Sequence, residues 1–255
     1  MSSPRSPLSA VVITFNCERQ LRICLESVAF ADEILVVDSG STDGTVDLAK
    51  RRGARVIEHD WLGYGRQKQF GVDQAAHDWV LCVDSDERVS PELRSSIERT
   101  LAAPACRAYR FPRCNRFMGR YLRHGEGYPD LSLRLFHRRS ARWSEDEVHE
   151  RVLAETQVGR LQGDLLHDSA DTLESYLAKQ NRYTSLAAEA ALAAGKRALP
   201  IQLLANPLLR FFKFYLVRRG FLDGVPGLVH VLIGCSNSFS KYAKMLELQM
   251  KGGNP

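Results

Sequence analysis

The run Trp79-Val80-Leu81-Cys82-Val83-Asp84-Ser85-Asp86-Glu87 decides how the rest of the chain is interpreted. An apolar, β-prone segment leads straight into two aspartates spaced i, i+2, followed by Glu87 and Arg88. A core strand that ends in clustered carboxylates is costly unless positive charge sits on them. Hard divalent cations such as Mg²⁺ or Mn²⁺, carrying a phosphorylated ligand, are the commonest such partner. In open α/β sheets ligands gather beyond the carboxyl ends of the strands, which is where these aspartates fall. An Asp-x-Asp in isolation is also an ordinary polar turn, so the flanking sequence has to decide between the two.

Upstream, Ser9 to Phe15 is a β-branched run ending at Asn16, and Leu21, Leu25 and Val28 then follow helical spacing. Ile34 to Val37 is a second buried strand, closed by Asp38-Ser39-Gly40-Ser41-Thr42-Asp43-Gly44. A helix is predicted over 45–52 with Gly53 past its end, a third strand over 55–58, and a helix from the Gly63-Tyr64-Gly65 loop to about Ala76. After the strand ending at Asp84, Ser90-Pro91-Glu92 opens another helix, with serine as N-cap and proline in the first turn. Four strand–helix alternations predict a parallel, doubly wound sheet. Three strand ends then carry acceptors toward one edge: Thr14 and Asn16, Asp38 and Asp43, Asp84 and Asp86. Such a convergence suits a nucleotide site at a topological switch point. The Asp38–Gly44 segment can close around a base and ribose, because its glycines allow close approach and its carboxylates accept from N–H and hydroxyl groups. No Gly-x-Gly-x-x-Gly follows the first strand and no Walker A sequence occurs, which argues against dehydrogenase and P-loop sites.

Downstream of Pro104 the rhythm changes. Strands are predicted over 108–113 and 131–137, with shorter ones over 148–152 and 159–166, giving a mixed second half. Beyond Asp168 the pattern is helical, with helices predicted from Asp171 to about Ala194, from about Asn206 to Arg219, and from about Gly227 to Met250. The organisation expected is a domain over 1–168 and a helical extension over 169–255. The formal charge of +5 is unevenly spread. Ten arginines between Arg107 and Arg142 face only Glu126 and Asp130, and six bases from Lys196 to Arg219 meet no acid. Such surfaces suit phosphates, acidic headgroups or nucleic acid. The segment Pro207 to Arg219 mixes bulky apolar residues with Arg and Lys. It can lie in a headgroup plane, or cover the core while its bases snorkel outward. Six cysteines show neither Cys-x-x-Cys pairing nor zinc-like spacing, a pattern that fits a reducing compartment. The polar start of the chain lacks a secretory apolar region, and no apolar stretch is long enough to span a bilayer. The expectation is a cytoplasmic protein.

Val11 to Asn16, Val36 to Thr45 and Val83 to Glu87 together resemble glycosyltransferase family 2, the inverting enzymes with a GT-A fold, over roughly 8–155. Gly63 to Gln69, Tyr128 to Leu131, Arg134 to Phe136 and Val148-His149-Glu150 are similar to the lipopolysaccharide-core β-1,4-glucosyltransferase branch. Arg210 to Lys213, Arg219 to Gly224 and Lys241-Tyr242 extend that resemblance over nearly the whole chain.

The resemblance implies a fold of class α/β: a GT-A, Rossmann-like mixed sheet flanked by helices, with a C-terminal helical extension. It implies an inverting transfer of a hexose, expected to be glucose, from a UDP-sugar to a lipopolysaccharide inner-core or other lipid-linked acceptor. The enzyme would be peripheral on the cytoplasmic face of the inner membrane. Thr14, Asn16, Asp38 and Asp43 would serve the nucleotide, with Asp38 and Asp43 on uracil and ribose. Asp84 and Asp86 would hold Mg²⁺ or Mn²⁺ against the diphosphate, with Lys68 and Arg134 on its oxygens. Glu150 is the first choice for the base that takes the acceptor proton and Asp146 the second, with His149 orienting the sugar or the carboxylate. Two other classes were weighed. A nucleotidyltransferase would need a glycine-rich arginine loop where Thr14-Phe15-Asn16-Cys17-Glu18 stands. A basic nucleic-acid module over 107–142 lacks a recognisable motif and leaves Asp84 and Asp86 without a role, so no nucleic-acid partner is expected.

Overall fold

The computed structural model describes residues 5–146, 150–168 and 172–252. Strands β1 (Leu8–Thr14), β2 (Glu33–Asp38), β3 (Arg55–Glu58) and β4 (Trp79–Asp84) alternate with α1 (Glu18–Ser27), α2 (Thr45–Arg51) and α3 (Tyr64–Gln74). Their order is β3-β2-β1-β4 and every pairing is parallel. The chain therefore reverses its direction of growth across β1, which puts the switch point between β1 and β4. The period of two along β1 explains how both faces are buried. Ala10 and Val12 pack with Leu21 and Leu25 of α1, whereas Val11 packs with Val72 of α3.

The second half of the sheet is mostly antiparallel. β4 pairs with β8 (Asp130–His137), which pairs with β6 (Ala108–Phe117), as the mixed pattern in the sequence predicts. The sheet closes with β12 (Leu165–His167) against β5 (Glu87–Val89). Strand β5 was not foreseen: only Ser85 and Asp86 separate Asp84 from it, and its partner lies far along the chain. Between β5 and β6 runs α4 (Pro91–Ala102), with the Ser90 hydroxyl accepting from the Leu93 N–H at 3.2 Å as its sequence predicts. Smaller strands are β7 (Arg120–Tyr121), β9 (Ala141–Trp143), β10 (Val152–Ala154) and β11 (Val158–Arg160). The predicted strand over 159–166 is thus two strands. Gly163 interrupts it at φ 91°, where an added Cβ would collide with the backbone of Leu93. The strand predicted over 148–152 falls partly outside the described residues, and β10 starts at its last position.

Residues 1–114 and 130–168 form one compact unit, and residues 115–129 with 169–255 form another. The second contains α5 (Leu173–Ala193), α6 (Gln202–Phe211) and α7 (Gly224–Gly252). Within it, buried Asp223 accepts the backbone N–H groups of Arg123 (2.9 Å) and His124 (2.8 Å), tying the 115–129 segment to the turn before α7. The helix predicted from Asn206 starts earlier, at Gln202, with Pro207 inside it. It continues as a wider π-helical turn over Phe212–Val217. Proline removes one N–H from the helical ladder, yet the helix runs through it. No helix among the described residues is long and apolar enough to cross a membrane.

Candidate active site

Register aligns Thr14 with Asp38 and Ile13 with Asp84, so the carboxyl ends of β2, β1 and β4 stop at one level. Beyond them opens a cleft of about 770 Å³, lined by Thr14, Phe15, Ser39, Trp61, Tyr64, Asp84, Asp86 and Arg113 among others. That volume lies within the range of small-ligand sites. Its β2 side is built on Asp38, which is fully buried. One carboxylate oxygen accepts from the N–H groups of Gly40 (3.1 Å) and Ser41 (2.7 Å). The other accepts from the hydroxyls of Thr14 (2.7 Å) and Ser41 (2.6 Å). Asp38 therefore organises the loop from inside. Asn16, held at φ 46°, accepts from the Thr42 N–H at 2.8 Å and donates its own N–H to Ser41. Exposed Asp43 accepts from the N–H groups of Thr45 and Glu18, at the starts of α2 and α1. A side-chain hydrogen bond with Thr45, followed by these backbone bonds, lowers its pKa against a small upward push from burial.

The β4 side is an ion-pair network. Asp84 accepts from Lys68 Nζ at 2.9 Å and Arg134 Nη2 at 3.0 Å. Burial pushes its carboxyl pKa up, but Arg134 and Lys68 outweigh burial and hold it well below the usual carboxylate range. Arg134 is likewise pushed up, because Glu87 and Asp84 outweigh the effect of its own burial. Lys68, itself buried, also meets Glu150 Oε1 at 3.0 Å. Both cations lie over the Trp143 ring, with Lys68 Nζ at 4.7 Å and Arg134 Cζ at 5.2 Å. The ring is fixed by its indole N–H to Cys82 Sγ (3.3 Å) and its backbone N–H to Gln69 (2.8 Å). Arg134 Nη1 is buried with no hydrogen-bond partner among the described residues, and the aromatic face offers it partial compensation. Glu87, 1% exposed, caps the Asp84 N–H and takes Arg113 at 2.6 Å. Gly65 permits the close approach of α3: a Cβ there would run into the Ser144 carbonyl and come within 3.3 Å of Glu150 Cβ.

Asp86 is differently placed. It lines the cleft, and its Oδ2 lies 3.1 Å from His167 Nε2 on β12. A carboxylate beside an imidazole is a donor set that suits a divalent transition ion. Among the described residues no cluster of three or more His, Cys, Asp or Glu forms a complete metal cage.

The fold thus gathers Lys68, Asp84, Arg134 and Glu150 into one network and Thr14, Asn16, Asp38 and Asp43 into a neighbouring one. Asp146 is exposed in the segment after β9, and His149 lies outside the described residues. Sequence reasoning missed His167, Arg113, Trp143 and the exposed aromatics Phe15, Trp61 and Tyr64. The last two meet edge to face at 4.8 Å. Their only local signal was exposed-type aromatics in a polar loop. His167 and Arg113 had none, because each reaches the site through strand pairing.

Residues 9–154 match the profile of the family described as glycosyl transferase family 2. Over 96% of its length the chain is 33% identical to a lipopolysaccharide core biosynthesis glycosyltransferase, LpsC, of Rhizobium meliloti, covering 93% of that protein. It is 32% identical to an uncharacterized glycosyltransferase of Rickettsia typhi, over 97% of this chain and 89% of that one. A glucosyl-3-phosphoglycerate synthase of Mycobacterium tuberculosis, solved with Mn²⁺, UDP and glucosyl-3-phosphoglycerate, aligns with a TM-score of 0.38 and 24% identity over 44% of each chain.

Proposed function

The chain belongs to glycosyl transferase family 2, and we propose that this glycosyltransferase moves a hexose, glucose first among candidates, from a UDP-sugar to a lipopolysaccharide inner-core or other lipid-linked oligosaccharide. Transfer is a single displacement with inversion at the cytoplasmic face of the inner membrane. The observation that carries this reading is the common level at which β1, β2 and β4 end, with Thr14, Ser39 and Asp84 lining one cleft there. The name of the Rhizobium meliloti relative supports the acceptor class.

In this reading the loop shaped by Asp38, Asn16 and Asp43 receives uridine, and Trp61 and Tyr64 offer aromatic faces to a sugar or base. Asp86 and His167 would hold Mg²⁺ or Mn²⁺, with Asp84 as the adjoining carboxylate. A divalent cation bound there supplies charge neutralisation for the departing diphosphate. Arg113, Arg134 and Lys68 keep the acidic cluster compensated and add positive potential beside the diphosphate. Glu150 accepts the proton of the acceptor hydroxyl as that oxygen attacks the anomeric carbon. Lys68, bonded to both Asp84 and Glu150, fixes the base relative to the nucleotide end of the site.

The test is UDP release by the purified chain with a panel of UDP-sugars and extracted core acceptor. Release is expected to require acceptor, to stop with a chelator and to resume with Mn²⁺ or Mg²⁺. Asp86→Asn and His167→Ala are expected to raise the metal concentration needed for half-maximal rate by about 10–100-fold. No release with any UDP-sugar, together with no calorimetric binding of UDP in the presence of Mn²⁺, would overturn the reading.

A further inference from the structure

In the helical unit, the stretch from Leu199 through the π-helical turn has its polarity turned inside out. Ile201, Leu204, Leu208, Phe212 and Leu216 recur every three or four residues, so they form one stripe along α6 and its continuation. A core-facing stripe would be buried. These side chains are instead exposed, Leu204 by 67% and Phe212 by 55%, and neighbouring Leu209 is 66% exposed. The less exposed side mixes half-buried Leu203, Phe211 and Phe214 with charge: Arg210 is half-buried and paired with Glu126, its Nε 3.1 Å from Oε2. Exposed Lys196, Arg197, Lys213, Arg218 and Arg219 accompany the stripe, and no acid occurs between Lys196 and Arg219.

We propose that this face is a membrane-docking surface. The stripe enters the boundary between headgroups and acyl chains of an anionic bilayer, and the flanking bases bind lipid phosphates. Charge selects the occupant. In a symmetric pair of copies, each stripe would meet its own basic flank, setting Lys213 and Arg219 against their equivalents with no acid in the stretch to pair them. A surface of anionic headgroups satisfies the bases and accepts the leucines together. The surface lies wholly in the helical unit, so docking is independent of the donor chemistry proposed for the cleft.

The test is co-sedimentation of the full chain with vesicles of phosphatidylcholine alone and of phosphatidylcholine mixed with phosphatidylglycerol, at low and high salt. Binding is expected only with the anionic vesicles and is expected to weaken as salt rises. Lys213→Gln with Arg219→Gln is expected to weaken binding by about fivefold for each base removed. Leu208→Ser with Phe212→Ser, both at exposed positions, is expected to weaken it by more than about tenfold while leaving the circular dichroism spectrum unchanged. Three results would overturn the proposal: no binding to anionic vesicles, binding unchanged in the Leu208/Phe212 variant, or a dimer by light scattering that this variant converts to monomer.

Discussion

Replacing Lys68 with methionine tests the charge logic of the site directly. The ammonium is buried between Asp84 at 2.9 Å and Glu150 at 3.0 Å, over the Trp143 ring. Methionine keeps the length and apolar contact of the stem and removes the charge. Deleting one partner of a buried pair costs about 3–5 kcal/mol, because the other charge is left behind. Here Asp84 keeps Arg134 at 3.0 Å, and the Asp84 and Glu150 side chains retain 23% and 21% of their exposure to water. We therefore expect a loss at or below the bottom of that range, about 2–3 kcal/mol at pH 7. For a chain of this size that is a fall in Tm of roughly 4–12 °C.

The deficit depends on pH in a defined direction. A carboxylate whose folded pKa is depressed contributes stability that is present above its unfolded value, about 3.9 for aspartate, and is lost as pH falls through the folded value. Asp84 is of this kind, held down by Arg134 and Lys68 against the upward push of burial. Without Lys68 its pKa rises, so the variant's carboxyl protonates first on acidification and its deficit relative to the wild type narrows. Thermal denaturation from about pH 7 down to about pH 2 measures this. Adding Glu150→Gln to the variant is expected to restore part of the loss, since it removes one of the two stranded carboxylates. A wild-type Tm at neutral pH, or a deficit that stays constant on acidification, would refute the reasoning.

Glu150→Gln in the otherwise native chain keeps an oxygen to accept from Lys68 but no longer takes a proton. Turnover is expected to fall by about 10²–10⁴-fold, while UDP affinity by calorimetry stays unchanged; near-native turnover would move the base to Asp146. Gly65→Ala pushes the start of α3 against the Ser144 carbonyl and Glu150 Cβ. It is expected to lower stability by about 1–3 kcal/mol and to reduce kcat more than UDP affinity; wild-type kinetics would show that this close approach does not position the base.

What the sequence made legible were the features encoded locally. The apolar runs of β1, β2 and β4, the serine and proline opening α4, and the acceptors at three strand ends each signal within a few residues. A parallel order with a switch at β1 then follows from connection rules alone. The partners of those acceptors were not legible. Lys68 meets Glu150 across 82 residues, Asp86 meets His167 across 81, and Asp84 meets Arg134 across 50. No periodicity links such positions: antiparallel β8 and β12 bring in Arg134 and His167, and the close approach of α3 brings Lys68 to Glu150. Asp38 shows the converse limit: its motif suggests an acceptor offered to a ligand, yet four internal donors already occupy its oxygens. The basic, apolar tail marks the same boundary. Its composition was compatible with covering the core or facing a membrane, and only the exposure of Leu204, Leu208 and Phe212 separates the two.

The difference between the two aspartates of the Asp-x-Asp run follows from the same long-range pairings. Asp84 is clamped by two buried cations that share one aromatic face, so its charge is compensated before any ligand arrives. Asp86 faces the cleft with an imidazole beside it, so it can exchange that contact for a cation without exposing a buried Lys or Arg. Displacing Lys68 from Asp84 would strand an ammonium that also orients Glu150. The network therefore divides the labour between adjacent carboxylates. In the proposed reading, Asp84 would fix the geometry that links Glu150 and the nucleotide, and Asp86 would answer to the ligand. Asp84→Asn should accordingly perturb stability and the placement of Glu150 together, an effect quite unlike the selective change in metal requirement expected for Asp86→Asn.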